Sequence, residues 1–105
     1  MKQYQIVIVN LAPTLGSEMT KTRPCLIVSP DEMNRHLNTV VIAPITSTSK
    51  PYPSRVFLDN GKYKGWAAFD QIRTVAKERV VSLDGHISDT EIAAVKQVIR
   101  EIYVD

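Results

Sequence analysis

Ile6-Val7-Ile8-Val9, near the start of the chain, is β-branched at every position, and segments of this kind decide the fold. A run this short and this branched predicts a strand rather than a buried helix. Comparable apolar runs predict a second strand that begins at residue 26 and further strands over 39–43, 55–58, 66–69 and 80–83. Pro24 is expected to end the loop before the second strand. Pro44 is expected to end the third, since proline cannot donate a hydrogen bond to a ladder.

The last part of the chain changes to a helical pattern. Ser88 with Glu91 three residues later is a capping-box signature. Beyond it, apolar residues recur at helical spacing on one face between 92 and 102. This pattern predicts a helix over 88–103 that packs on the sheet. Five or six short strands followed by one helix predict a mainly β fold, a small barrel-like domain with a C-terminal α-helix.

Length and composition set the broad class of the protein. The 105 residues are enough for one domain, spanning 1–105, and 44% hydrophobic with 23% charged residues is typical of a globular chain. No apolar run approaches the roughly 20 residues that span a bilayer. Met1-Lys2-Gln3-Tyr4 leads straight into the first strand without a signal-peptide cleavage site. We therefore expect a cytoplasmic protein with no membrane partner.

Charge and cysteine content narrow the function classes further. The net charge is only +2, and attraction to nucleic acid grows with the number of phosphates neutralised. Any RNA binding must therefore come from a local arrangement of cations, the alternative being an ordinary solvated surface. The candidate cations are Lys21, Arg23, Lys50, Arg55, Lys62, Lys64 and Arg73. The single cysteine, Cys25, lies in an apolar stretch and is expected to be a small buried side chain rather than a nucleophile.

Two polar segments, 13–22 and 46–53, are the longest loops of the predicted fold, and long loops in compact domains tend to carry function. Tyr52 lies between two prolines in the second loop and is a candidate for stacking on an unpaired base. Trp66 is instead expected in the core or in an interface, as most tryptophans are.

Four ordered blocks of this sequence resemble the MazF/PemK toxins. The first block is Asn10-Leu11-Ala12-Pro13-Thr14-Leu15-Gly16-Ser17-Glu18 with Arg23-Pro24 and Val28-Ser29-Pro30, and the others are Asn34-Arg35, Pro44-Ile45-Thr46-Ser47 and Phe69-Asp70-Gln71-Ile72-Arg73-Thr74. The similarity covers about 6–79. The chain departs from the family pattern at Tyr4-Gln5, where a Gly-acid pair is usual, and at Ala68, where some members carry an arginine.

The resemblance implies an SH3-like, PemK-type β-barrel that forms a homodimer. It also implies an endoribonuclease toxin that cleaves single-stranded mRNA at short preferred sequences. The implied partner is a cognate antitoxin that blocks the site with an extended acidic tail. Such cleavage uses the internal 2′-hydroxyl of RNA as nucleophile, so no metal or cofactor is expected, and the sequence has no ligand pattern for a metal.

Arg23, Thr46 and Glu18 are the candidate catalytic residues. The Arg23 guanidinium can grip two phosphate oxygens and stays protonated, so we assign it transition-state stabilisation first and leaving-group protonation second. The Thr46 hydroxyl could donate to a phosphate oxygen or fix Arg23, with strand-end capping as the alternative. Glu18 is a candidate base or orienting partner, and a structural ion pair is its rival role.

Seven more residues lie in the matched blocks or the polar loops and are candidates for RNA contacts. They are Ser17, Lys21, Ser47, Lys50, Tyr52, Asp70 and Gln71. At least one of Asp70 and Gln71 is expected to make structural hydrogen bonds.

Three other functions stay open at the level of sequence. A related-fold toxin could bind DNA gyrase without any enzymatic step. A non-catalytic nucleic-acid-binding barrel is also possible, although it would be expected to be more basic. A degenerate toxin that has lost activity is the third, because of Ala68.

Overall fold

The computed structural model describes residues 1–12 and 21–104. Within them the elements are β1 (Gln5–Asn10), β2 (Thr22–Ile27), α1 (Asp31–His36), β3 (Thr39–Thr46), β4 (Arg55–Asp59), β5 (Lys64–Ala68), β6 (Arg73–Ala76), β7 (Val80–His86) and α2 (Asp89–Ile99). Short 3₁₀ turns cover Phe69–Gln71 and Lys77–Arg79, and a π-helical segment covers Arg100–Val104.

The strands pair antiparallel in the order β4-β5-β3-β2-β1-β7, and β6 also pairs with β3. The prediction of a mainly β fold with a C-terminal helix is confirmed, and the barrel is an open one because, among the described strands, no pairing joins the two ends of this order. The described chain has seven strands rather than five or six. The additional strand is β6, whose polar–apolar sequence is too short to stand out from a loop.

Two apolar clusters lie on opposite faces of the central strands, because successive side chains of a strand alternate in direction. On one face Ile6, Leu26 and Ala43 join the cluster that packs under α2. On the other face Val7, Cys25 and Ile42 belong to the second cluster. The side chains of Arg23 and Thr46 continue this second face beyond its apolar cluster, and this continuation is called the functional face.

The C-terminal helix begins as predicted. Ser88 accepts a hydrogen bond from the Glu91 backbone, and the Glu91 side chain accepts one from the Ser88 backbone, which completes the capping box. Val95 is fully buried against the sheet. The predicted extent to about residue 103 is confirmed, since helical structure continues from α2 through Val104, but its last turn is the wider π-helical segment that begins at Arg100. In this arrangement the Tyr103 hydroxyl donates to the Phe69 carbonyl. No helix in 1–12 or 21–104 is long and apolar enough to cross a membrane.

Pro44 does not end the third strand, contrary to the prediction. It lies inside β3, which runs on to Thr46. On one edge β3 pairs with β6 as far as Ile42 and with β5 from Ile45. Pro44 therefore falls in the gap between two partners, a place where a residue without an N–H is tolerated.

The second strand also begins earlier than predicted. It starts at Thr22, and Arg23 and Pro24 lie within it, opposite Val9 and Ile8 of β1. Apolar patterning missed this end because Thr22 and Arg23 are exposed. Similarly, β5 covers Lys64–Ala68 instead of 66–69, since its first residues are polar.

The Cys25 side chain is fully buried in the second cluster, as predicted. Burial raises the pKa of its thiol to about 12, although the nearby charges of Arg23 and Arg73 act to lower it. Because the thiolate is the reactive form of cysteine, this thiol is inert in the folded protein.

Candidate functional site

Arg23 is brought to Thr46 by the register of β2 against β3. Cys25 pairs with Pro44, and two residues further along the same antiparallel register Arg23 comes opposite Thr46. Residues opposite one another share a face. Arg23 and Thr46 therefore extend the face that buries Cys25, but beyond the end of its apolar cluster, where Arg23 is exposed.

Arg23 lies between two clefts and lines both. The larger, of about 600 Å³, is also lined by Leu11, Lys21, Thr22, Pro44, Gln71 and Arg73. The smaller, of about 230 Å³, is also lined by Thr22, Pro24, Ile45, Thr46, Ser47, Tyr63 and Lys64. Arg23 and its neighbour Thr22 are thus the residues that the two clefts share.

The two clefts are positively charged. Lys21 and Arg73 join Arg23 in the larger cleft, and Lys64 lies in the smaller. Among the described residues that line them, none is acidic. Although the net charge of the whole protein is only +2, these cations converge on one surface, which is the local arrangement that an anion-binding site requires.

The Thr46 hydroxyl is oriented by the loop that follows it. It donates to the Thr48 carbonyl at 2.9 Å. A threonine has one O–H donor and two acceptor lone pairs. The Thr46 oxygen can therefore accept a hydrogen bond as it stands, and it must turn away from Thr48 in order to donate to an anion.

The loop after β3 is tied to the 3₁₀ turn Phe69–Gln71 through Arg55. The Asp70 carboxylate accepts from Arg55 Nε at 2.8 Å and from Arg55 Nη2 at 3.2 Å, a bidentate pair, and from Ser54 Oγ at 2.9 Å. Arg55 Nη1 donates to Ser49 Oγ at 2.9 Å, and its guanidinium lies 5.5 Å from the centre of the Tyr52 ring. The hydrogen bonds from Arg55 hold the pKa of Asp70 at about 2.

The backbone of this 3₁₀ turn is also anchored in the core. The Phe69 side chain is fully buried, its N–H donates to the Ser54 carbonyl at 3.0 Å, and its carbonyl accepts from Tyr103. Gln71, at the end of the same turn, lines the larger cleft. The turn thus presents Gln71 to the cleft from a rigid base.

The structure brings together some of the residues predicted from sequence and separates others. Arg23 lies with Lys21 and Gln71 in the larger cleft and with Thr46 and Ser47 in the smaller. Asp70 makes hydrogen bonds within the protein, and Tyr52 lies against Arg55. Lys50 is exposed and lines neither cleft. Glu18 and Ser17 lie outside the described residues.

Four residues that the structure places at or beside the site were not among the predicted catalytic or RNA-contact residues. They are Thr22, Arg55, Lys64 and Arg73. The last three were predicted only as members of the set of cations from which RNA binding could come. Arg73 had a usable signal, because it falls in a matched block two residues after Gln71. The pairing of Arg55 with Asp70 had none, since 15 residues separate the two and only the fold joins them.

A model of the PemK-like, MazF-like toxins of type II toxin–antitoxin systems matches residues 2–103. The chain belongs to this toxin family. A sequence relative, the endoribonuclease toxin MazF of Escherichia coli K12, is 30% identical over 92 residues, which are 87% of this chain and 83% of the relative. The family predicted from the four blocks is therefore confirmed.

Solved structures agree on the fold. A mycobacterial endoribonuclease in complex with its cognate antitoxin superposes with a TM-score of 0.83 at 22% identity and covers 96% of this chain and 92% of its own. A MazE–MazF structure from Deinococcus radiodurans gives a TM-score of 0.81 at 25% identity and covers 97% and 94%.

The departure from the family pattern at Ala68 has a structural context. Ala68 is buried and pairs with Arg55 on the neighbouring strand. A guanidinium is thus present next to position 68, but it comes from β4 and is already bound to Asp70. Among the described residues, no three His, Cys, Asp or Glu side chains form a group that could hold a metal ion.

The Arg55–Asp70 pair predicts an acid-dependent loss of stability. The ordinary pKa of Asp70 is 3.8 and the folded value is about 2, so the unfolded chain binds this proton first as the pH falls. The contribution of the pair is complete above about pH 4 and disappears as the pH falls towards 2. Because Asp70 is 40% exposed, we expect at most about 1 kcal/mol. Urea unfolding of wild type and Asp70→Asn should differ near neutral pH and converge in acid. An unchanged difference would remove the pair from the acid response.

Proposed function

We propose that this protein is an endoribonuclease toxin that cleaves single-stranded mRNA at preferred short sequences, without a metal, as a homodimer in the cytoplasm. The observation that carries the proposal is the position of Arg23 between two cationic clefts, with Thr46 opposite it. Membership of the toxin family and the endoribonuclease name of the Escherichia coli relative support the same activity.

The two clefts suit an RNA strand that crosses Arg23. The phosphate to be cleaved lies at Arg23, and the flanking nucleotides enter the larger cleft on one side and the smaller on the other. Single strands carry one charge per nucleotide, and cations in both clefts, Lys21 and Arg73 in the larger and Lys64 in the smaller, can bind phosphates on either side of Arg23.

Cleavage needs the 2′-hydroxyl to attack the adjacent phosphorus while the bond from phosphorus to the 5′-oxygen breaks. The 2′-proton passes to a base, and the leaving 5′-oxygen takes up a proton, which leaves a 2′,3′-cyclic phosphate and a 5′-hydroxyl. The charge that builds on the phosphoryl oxygens is stabilised by the bidentate Arg23 guanidinium. Arg23 acts second in the protonation of the leaving 5′-oxygen. It donates a hydrogen bond to that oxygen, which takes its proton from water, because the arginine side chain itself stays protonated.

Thr46 supports this step from the opposite strand, where it accepts from Arg23 or turns to donate to a phosphoryl oxygen. Glu18 is proposed as the base or as the partner that orients Arg23. Ser17, Lys21, Ser47, Lys50, Tyr52, Asp70 and Gln71 are proposed as contacts or supports for the RNA.

A cognate antitoxin is proposed to neutralise this activity. Of the two solved structures described above, the mycobacterial one is an endoribonuclease in complex with its cognate antitoxin, and the Deinococcus one is MazE with MazF. An acidic, extended tail would complement the cations of the two clefts and lie where RNA lies.

The reaction chemistry predicts its own products. Cleavage of a long unstructured RNA should persist in excess EDTA and leave 2′,3′-cyclic phosphate and 5′-hydroxyl ends, because the nucleophile belongs to the substrate. A strand with 2′-deoxyribose at the mapped cut site should resist. Loss of cleavage on chelation with rescue by magnesium would contradict the mechanism, and the absence of any cut would favour a binding toxin.

Arg23 and Thr46 are tested by substitution. Arg23→Ala removes a hydrogen-bond donor that stabilises the transition state, and the expected loss is roughly 10²–10³ in kcat. Arg23→Lys should also be poor, because a point charge does not reproduce the bidentate grip. Thr46→Val keeps the shape and should lower cleavage.

Thermal unfolding and binding to a non-cleavable RNA are the controls for these variants, since Arg23 lies within β2. Lys96→Gln, on α2 and lining neither cleft, is the matched loss of one charge. An Arg23→Ala protein that folds and cuts like wild type would exclude Arg23 from the site.

The antitoxin tail should compete with RNA. Displacement of a labelled, non-cleavable RNA by an acidic peptide from the cognate antitoxin is the expected result in fluorescence anisotropy. Simultaneous saturation of the toxin by both ligands would show that the two sites are separate.

A further inference from the structure

An aromatic pair adjoins Thr46 on the functional face. Trp66 of β5 lies directly opposite Thr46 of β3, and Phe57 of β4 lies directly opposite Trp66. Opposite residues of antiparallel strands share a face, with Cβ atoms about 5 Å apart. The three side chains therefore form one row, Thr46-Trp66-Phe57, across three strands.

The two rings make an edge-to-face contact, with centroids 5.3 Å apart and planes inclined by 65°. Trp66 is half-buried and Phe57 is 44% exposed. Two adjoining aromatic rings beside a functional site offer an apolar surface that a ligand with a flat apolar face can cover.

The row is continuous with the smaller cleft. Lys64 lines that cleft and lies two residues before Trp66, on the same face of β5. At the other end Arg55 lies two residues before Phe57 on β4, held by Asp70. Asp59, opposite Lys64, is also on this side, and its carboxylate accepts from the Gly61 N–H. The rings thus have Lys64, opposite Asp59, at one end and the Arg55–Asp70 ion pair at the other.

We propose that Phe57 and Trp66 form a stacking platform for an unpaired base of the RNA, next to the nucleotide whose phosphate lies at Arg23. This inference rests on the proposed ribonuclease function and extends it to a base-binding subsite. Nucleic-acid bases stack on aromatic side chains whatever their sequence. Lys64 then faces the adjoining backbone phosphate.

A protein partner on these rings is the competing occupant. Two rings, one of them half-buried, supply little of the roughly 1,200 Å² that a stable protein interface buries in total. Lys64 and the adjoining cationic clefts favour a polyanion with apolar bases instead.

Trp66 gives the platform a direct signal, because it is the single tryptophan of the chain. The probe is a non-cleavable RNA with 2′-deoxyribose at the mapped cut site. Stacking should quench the Trp66 fluorescence on binding. An abasic position at the stacked nucleotide should restore the fluorescence, whereas abasic positions elsewhere should not.

Phe57→Leu should raise KM by roughly 5- to 100-fold and leave kcat nearly unchanged, because a base contact binds the ground and transition states alike. Phe57→Tyr keeps a ring and should rescue KM. Leu37→Ala is the matched control, since Leu37 is 45% exposed but lies outside the row. Thermal unfolding should show that all three variants are folded.

The outcomes separate the two proposals. Cleavage by wild type with no quenching and no change of KM in Phe57→Leu overturns the platform and leaves the nuclease. RNA binding with quenching but no cleavage overturns the nuclease and keeps the platform. Failure to bind RNA overturns both. A change of oligomeric state in Phe57→Leu by sedimentation, with KM unchanged, assigns the rings to a protein contact and overturns the platform.

Discussion

Strand β3 pairs with three neighbours, and the rest of the structure depends on how it divides its hydrogen bonds among them. One edge pairs with β2, while the other pairs first with β6 and then with β5. The exchange of partners occurs around Pro44, which has no N–H to leave unsatisfied. Both β6, which carries Arg73, and β5, which carries Trp66, are thereby placed beside the same strand.

This division sets what each end of β3 can do. Where β3 pairs with β6, apolar residues of both strands close the second cluster, including Val40 and Val75. Where it pairs with β5, the same face carries Thr46 and Trp66 instead. The second apolar cluster packs the strands that carry the site. The polar and charged groups beyond the end of this cluster are therefore attached to close-packed strands rather than to loops alone.

The positions of the basic residues, and not the net charge of the protein, make the larger cleft cationic. The protein has thirteen basic and eleven acidic residues, yet three cations meet in one cleft. The described residues that line this cleft include no acidic group, and Asp70, in the same turn as the cleft residue Gln71, is bound to Arg55. Such pairing leaves Arg23, Lys21 and Arg73 to shape the potential of the cleft, which gives a local anion site on a nearly neutral molecule.

Close approach of backbones tightens the same region. A Cβ on Gly65 would lie 2.6 Å from the Thr46 carbonyl oxygen, so only glycine fits between Trp66 and the cleft residue Lys64 on β5. The short distance between β3 and β5 at this point is what sets Trp66 against Thr46. A larger residue at 65 would force these strands apart and move Trp66 and Phe57 away from Thr46.

The amino-acid sequence by itself determined the local structure. β-Branched runs predicted most strands, Ser88 and Glu91 predicted the start of α2, the apolar context of Cys25 predicted its burial, and four blocks predicted the family. Each of these signals lies within a few neighbouring residues. Only the tertiary structure joined Arg55 to Asp70, Arg73 to Arg23 and Trp66 to Thr46. Those contacts depend on strand order and register, which are set by hydrogen bonds between distant segments. The change of pairing partner along β3 brings them together, and local sequence patterns did not predict it because a proline lies inside that strand.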